Sequence, residues 1–184
     1  TTVILYGRFS DDKETALPAQ TAAQPPKMAT HVQTRAVPPD PEILFARAEA
    51  ARRAGNTADS AALYQKALGL APGRNRDAYV RLGGLYFERQ QYDRAAATYQ
   101  TALTYFKDDA VILNNLGGVL LAKGDTAGAI GYFRLASNCS KDYVEPVYNL
   151  ACAYARKGDK TAALDALNKA LGMHPDVRRW AEQD

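Results

Sequence analysis

The chain has 184 residues, with 23 lysines and arginines against 20 aspartates and glutamates and a net charge of +3. The two signs are mixed along the sequence and form no dense basic block, so nucleic acid is not expected as a partner. Apolar runs are far shorter than the roughly 20 residues that a transmembrane helix needs. The length suits one domain with a sizeable core and a tail.

Residues 1–40 are predicted to form an irregular arm. Six of the nine prolines lie at or before Pro41, and residues 17–41 are rich in Pro, Ala, Gln and Thr without a helical or strand period. This composition is typical of a linker that is partly extended as polyproline II. Three interpretations of the apolar start, "TTVILYGRF", stay open: a short β-like or disordered segment, the end of an upstream membrane anchor, or an extended peptide that docks on another surface.

From Pro41 onward the sequence repeats a unit of two predicted helices. The unit starts Arg76, Ala110 and Val144 are spaced by thirty-four residues, and Pro41 starts an earlier unit. In the third unit Leu113, Leu116, Gly117 and Leu120 follow the i, i+3, i+4, i+7 spacing of one helix face. The predicted units are 41–74, 76–109, 110–143 and 144–177, and residues 178–184 are predicted to start a capping helix.

Glycines recur at fixed places in these units. The first helices of the second and third units carry adjacent pairs, Gly83 with Gly84 and Gly117 with Gly118. Glycine inside a helix costs about 0.5–1 kcal/mol relative to alanine, so the pairs indicate a need for small residues. The joints "KGDTAG" and "KGDKTA" place a further glycine where one helix ends and the next begins.

The pattern resembles the tetratricopeptide repeat family. The resemblance is carried by "YVRLGGLYFERQQYDRAAATYQTAL", "LNNLGGVLLAKGDTAGAIGYFRLA" and "VYNLACAYARKGDKTAALDALNKALGMHP". It implies an all-α solenoid of four helix-turn-helix repeats plus a partial C-terminal capping helix, preceded by the irregular arm. It also implies that the two helices of a unit cross at a small residue. The residues expected at these crossings are Gly83, Gly117 and Ala151, facing Ala95, Ala129 and Ala163.

The resemblance implies that the first helix of each unit lines a concave wall, the usual binding surface of such solenoids. The asparagines at 115 and 149 would pair with the backbone of an extended peptide, or would only bond locally; both interpretations stay open. The lysines with which some family members grip a chaperone's terminal carboxylate are missing, which favours a partly apolar partner. The predicted partner-binding residues are Phe45, Arg81, Gly84, Phe87, Asn114, Asn115, Gly118, Leu121, Tyr148, Asn149, Cys152 and Arg156.

The predicted function is a non-catalytic protein-interaction module, an adaptor or assembly scaffold that binds a peptide or protein surface on its concave face. The alternative is a structural, self-associating protein whose groove is filled by its own or a neighbour's N-terminal arm. No catalytic constellation, metal-ligand spacing or cofactor motif is found around His31 and His174. A membrane is expected only through an upstream anchor. The arm favours a tethered position in a bacterial envelope, with a cytoplasmic adaptor as the alternative.

Overall fold

The computed structural model describes residues 39–174, 177 and 178. In these residues it contains eight α-helices and no strand, which confirms the all-α prediction. The predicted arm up to residue 38, and the predicted capping helix beyond Arg178, lie outside the described residues. The helices are α1 (Pro41–Arg53), α2 (Thr57–Leu70), α3 (Arg76–Glu88), α4 (Tyr92–Tyr105), α5 (Ala110–Ala122), α6 (Thr126–Cys139), α7 (Glu145–Lys157) and α8 (Lys160–Met173).

The helices form four hairpins arranged in two layers. Each odd-numbered helix packs against the even-numbered helix that follows it, and α2, α4 and α6 pack against the first helix of the next hairpin. In addition α3 contacts α5, and α5 contacts α7. We call the odd-numbered helices the inner layer and the even-numbered helices the outer layer. Each hairpin thus buries its apolar faces against its neighbours, as in a solenoid.

Aspartates begin several of the helices. The carboxylate of Asp109 accepts hydrogen bonds from the backbone N–H groups of Val111 and Ile112, both at 3.0 Å, at the start of α5. Asp125 and Asp159 cap α6 and α8 in the same manner. These side chains satisfy backbone donors that have no partner within the helix, typically worth about 1 kcal/mol per cap.

The joints inside the hairpins explain the recurrent Gly-Asp pair. Gly124 and Gly158 have φ angles of 88° and 84°, in the left-handed region that glycine adopts without steric cost. Each is followed directly by the aspartate that caps the next helix. In the second hairpin the corresponding residue is Gln90, which adopts a φ of 57° despite its side chain. The turn geometry is therefore kept where the glycine is absent.

The helix crossings require glycine for a different reason. A Cβ atom added to Gly117 would lie 2.6 Å from Cε1 and 2.7 Å from Cδ1 of Phe133, and one added to Gly83 would clash with the ring of Tyr99. Phe133 is 1% exposed, so its ring has little room to move. We expected Ala129 to face Gly117, but the nearest atoms belong to the aromatic ring one turn further along α6. The glycine makes room for a ring and not for a close helix approach alone.

Neighbouring hairpins are also joined by polar contacts. Arg76 holds the carboxylate of Asp109 with two bonds, Nε to Oδ2 at 2.5 Å and Nη2 to Oδ1 at 3.0 Å. Burial alone would raise the pKa of Asp109, but Arg76 and the backbone N–H groups of α5 outweigh it and hold the pKa below its ordinary value. One carboxylate therefore both caps α5 and connects the second hairpin to the third.

Candidate functional site

A groove of about 330 Å³ opens on the inner layer across three successive hairpins. We call it the inner groove. Helices α3, α5 and α7 supply most of its lining, and one residue comes from α4 of the outer layer. The lining contains no charged side chain. Its residues are Val80, Gly84, Phe87, Tyr99, Asn114, Asn115, Gly118, Val119 and Asn149.

Two glycines form the floor of the inner groove. A Cβ atom added to Gly84 or Gly118 would meet nothing within 4 Å, beyond the helix's own backbone and chain neighbours. Each of these residues directly follows a crossing glycine, whose added Cβ would clash. The absence of side chains at the floor therefore serves no packing need. It leaves open volume and accessible backbone at the floor of the groove.

An asparagine ladder links the third and fourth hairpins at one side of the groove. Asn149 donates from Nδ2 to Oδ1 of Asn114 at 2.9 Å, and Asn114 donates from Nδ2 to the hydroxyl of Tyr143 at 3.3 Å. Asn114 is buried, with 8% of its surface exposed. Burial and the nearby charge of Glu145 raise the pKa of Tyr143 to about 12, so this phenol stays neutral at pH 7. The side chain of the buried Asn114 is therefore bonded on both its oxygen and its nitrogen. Asn149 takes part in one of these bonds and is half-buried.

A tyrosine of the outer layer reaches the groove from below. The hydroxyl of Tyr99 donates to the backbone oxygen of Val80 at 3.4 Å, and the side chain of Asn115 lies close enough to influence the pKa of this phenol. Burial raises the pKa of Tyr99 to about 12, and the charge of Glu88 acts in the same direction, while Asn115 opposes them. The groove therefore presents neutral amide and phenol groups beside apolar surface. Such groups suit the backbone of an extended peptide, which needs both donors and acceptors.

The inner groove brings together six of the twelve residues predicted to bind a partner. Three come from α5, two from α3 and one from α7. Phe87 remains 40% exposed at the edge and lies 5.5 Å from the ring of Tyr92. The six residues are Gly84, Phe87, Asn114, Asn115, Gly118 and Asn149.

The structure places the other six predicted residues elsewhere. Phe45 is 5% exposed and lies in the core formed by the first hairpins. Tyr148 and Cys152 line a separate apolar cavity of about 250 Å³ between α7 and α8. Arg81 lies 3.6 Å from the carboxylate of Glu49. The remaining pair is joined by one bond, from Nη1 of Arg156 to the backbone oxygen of Leu121 at 3.1 Å.

The predicted partner-binding residues omit three that line the groove, Val80, Tyr99 and Val119. Tyr99 belongs to an outer helix and reaches the inner layer only because Gly83 leaves room for its ring. The sequence signal for this residue is that Tyr99 lies four positions after Ala95, the alanine expected opposite the crossing glycine Gly83. Val119 follows the floor glycine Gly118, and its 1% exposure matches a core residue that contributes little surface.

A wider cleft of about 570 Å³ lies at the open side of the first hairpin. Its lining includes the charged side chains Arg47, Asp59 and Lys66. Arg47 occupies the slot that holds the buried leucines Leu82 and Leu116 in the next hairpins. A charged residue suits this end because no preceding hairpin among the described residues covers it. We therefore regard the inner groove, although smaller, as the candidate site.

The described part of the chain has neither a metal-binding cluster nor a membrane-spanning helix. Residues 39–174, 177 and 178 contain no group of three or more His, Cys, Asp or Glu side chains arranged to hold a metal ion. Within the same residues, no helix combines the length and the hydrophobicity required to cross a bilayer.

Comparison with known protein families identifies the class of the chain. Two models described as tetratricopeptide repeat match it, one over residues 31–75 and 80–143 and the other over residues 144–177. The chain belongs to the tetratricopeptide repeat family, as its repeat pattern predicted.

Among curated proteins, the chain is similar to peroxisomal targeting signal receptors of yeasts. The receptor of Yarrowia lipolytica is 32% identical over 115 residues, and that of Candida albicans is 26% identical over 115 residues. Each match covers 61% of this chain and 19% of the receptor. The chain therefore spans about a fifth of the length of the curated relatives it matches.

Solved structures show the same architecture. The crystal structure of MamA protein aligns with a TM-score of 0.69 at 20% identity, over 76% of this chain and 75% of that chain. MamA 41-end from Desulfovibrio magneticus RS-1 aligns with a TM-score of 0.67 at 21% identity, over 73% and 75% of the two chains. At this level of identity the likeness concerns the fold, and it confirms the predicted solenoid.

Proposed function

We propose that this chain is a non-catalytic interaction module, an adaptor or assembly scaffold, which binds an extended and partly apolar peptide segment of a partner protein in the inner groove. The open glycine floor carries the proposal. Gly84 and Gly118 accept the helix-propensity cost of glycine although nothing packs against them. A ligand that approaches the inner layer closely would account for this cost.

The polar lining supports a peptide in extended form. Asn115 and Asn149 lie on successive inner helices and are half-buried, so each keeps part of its amide at the groove surface. An extended chain exposes one donor and one acceptor per residue, which a row of amides can match. Phe87, exposed at the edge, supplies apolar contact for alternate side chains. The name of the yeast relatives, as receptors of a targeting signal, agrees with recognition of a peptide.

The test fills the groove without disturbing the packing. Leucine at both Gly84 and Gly118 has open space and raises helix propensity, so the double variant should fold. Leucine at Gly131 and Gly172 is the matched control, because these glycines also face open space but lie on exposed surface of the outer layer. Each variant is used to capture partners from an extract of the source organism, with mass spectrometry as the readout.

We expect partners of the wild-type chain to be lost from Gly84→Leu/Gly118→Leu and retained by Gly131→Leu/Gly172→Leu. Partners that survive the filled groove would contradict the proposal and move binding to another surface. Light scattering of the same proteins tests the alternative of self-association through the groove. An oligomer of the wild type that becomes a monomer only when the groove is filled would favour the structural role.

A further inference from the structure

The two arginines predicted to bind a partner, Arg81 and Arg156, are engaged within the chain. Arg81 is held near the carboxylate of Glu49, with Nε to Oε1 at 3.6 Å. Arg156 donates to a backbone oxygen of α5 at 3.1 Å. The groove lining itself contains no lysine or arginine. A negatively charged ligand group in the groove would therefore meet no uncommitted cation among these residues.

Two carboxylates near the groove, in contrast, are not paired with a cation among the described residues. Glu88, at the end of α3, and Glu145, at the start of α7, are exposed, and neither forms an ion pair with another residue of the described range. Each lies one helix turn from a lining residue and on the same helix face, Glu88 four residues after Gly84 on α3 and Glu145 four residues before Asn149 on α7. The charge of Glu88 raises the pKa of Tyr99, and the charge of Glu145 raises the pKa of Tyr143, which bonds to the asparagine ladder.

We propose that the inner groove selects an internal peptide segment that carries lysine or arginine, placed to meet Glu88 or Glu145, and that it requires no free terminal carboxylate. This inference rests on the proposed function and specifies its ligand. The neutral asparagine and tyrosine groups take the peptide backbone, the glycine floor takes its apolar side chains, and the two carboxylates attract its cation. A terminal carboxylate would instead be repelled by both glutamates, with no compensating charge in the lining.

Two displayed peptide libraries test the proposal against the full chain. In one library the random peptide is fused at both ends and presents no terminal carboxylate; in the other it ends freely at its C-terminus. Binders are counted as groove-dependent when they fail to bind Gly84→Leu/Gly118→Leu and still bind Gly131→Leu/Gly172→Leu. We expect groove-dependent binders from the first library, with lysine or arginine enriched at a fixed position.

Single charge removals then locate the contact. With a selected cationic peptide, Glu88→Gln or Glu145→Gln should weaken binding by about two- to fivefold, the range of an exposed ion pair. The weakening should shrink at high salt, because exposed charges are screened. Asp165→Asn is the matched control, since it removes the same charge from an exposed residue of α8 in the outer layer and should leave the affinity unchanged.

The possible failures are distinguishable. Groove-dependent binders that come only from the free-carboxylate library, or that are enriched in acidic residues, would overturn this inference while leaving peptide binding in the groove intact. Cationic binders that respond equally to Glu88→Gln, Glu145→Gln and Asp165→Asn would also overturn it. An absence of groove-dependent binders from both libraries would overturn the proposed function, and the inference with it.

Discussion

The crossing glycines and the floor glycines are adjacent in the sequence but serve opposite surfaces. Gly117 faces the ring of Phe133, which an added Cβ would approach to 2.6 Å, whereas an added Cβ at Gly118 would meet nothing within 4 Å. The second hairpin repeats the contrast at Gly83 and Gly84. The same residue type is thus required by packing at one position and by the shape of a surface at the next. A glycine pair in a helix need not have a single cause.

The strongest test of this comparison places the same side chain at both positions. Gly117→Leu should destabilise the protein by about 1–3 kcal/mol or more, because leucine overpacks the crossing against Phe133. Gly118→Leu should be neutral or stabilising by up to about 1 kcal/mol, because it relieves the propensity cost in open space. Urea denaturation of both variants gives the two free energies of unfolding. Equal losses of unfolding free energy in the two variants would contradict the distinction between a crossing glycine and a floor glycine.

A change of pH should separate the apolar crossing from the polar joint between hairpins. The pKa of Asp109 is lowered in the folded state, so its contribution is present above its unfolded pKa of about 3.9 and is lost as the pH falls through the folded pKa. Asp109→Asn keeps a capping oxygen but loses the ion pair with Arg76. We expect it to cost about 1 kcal/mol at pH 6 and progressively less toward pH 2.

The control for this experiment is the crossing itself. The loss caused by Gly117→Leu involves no titrating group in its contact with Phe133 and should stay constant over the same pH range. A stability difference for Asp109→Asn that is flat with pH would contradict the role of the ion pair. Unfolding followed by circular dichroism at several pH values measures both.

The smallest expected effect concerns the third use of glycine, in the turns. Gln90 adopts a φ of 57°, which costs a residue with a side chain about 1–2 kcal/mol relative to glycine. Because glycine also gains entropy in the unfolded chain, Gln90→Gly should stabilise by only about 0.5 kcal/mol. The reciprocal change in the third hairpin, Gly124→Gln, should destabilise by a similar or larger amount. Opposite signs for the pair in thermal melts are expected; a loss in both variants would refute the conformational explanation.

The sequence predicted the family and the solenoid because both depend on spacing. Leu82 and Leu116 occupy the same place in successive thirty-four-residue units, and the structure buries both. The same spacing could not identify the partners across the crossing. The family resemblance implied Ala129 opposite Gly117, whereas the direction of a side chain across the interface brings the ring of Phe133 there. Periodicity fixes the face of a helix but not the rotamers that fill the space between two helices.

The sequence predicted which residues lie on the inner wall, but not the contacts between them. Gly84, Gly118 and Asn149 were assigned to the inner wall, and the structure brings them into one groove. The bonding of Asn114 was not foreseeable, because its partners Tyr143 and Asn149 lie 29 and 35 residues away, in the loop before α7 and on α7. Such contacts depend on the distance between hairpins, which no local pattern encodes. Whether these residues bind a partner stays a prediction.

The inner groove is assembled from three successive hairpins, and this has a mechanical consequence. Its width depends on how strongly the stack curves, since α3, α5 and α7 each contribute to the lining. A peptide bound across the groove would contact all three hairpins at once, whereas each hairpin by itself contacts only its neighbours. Occupancy and curvature are then thermodynamically linked, so whatever bends the solenoid changes the affinity of the groove, and a bound peptide stiffens the stack in return.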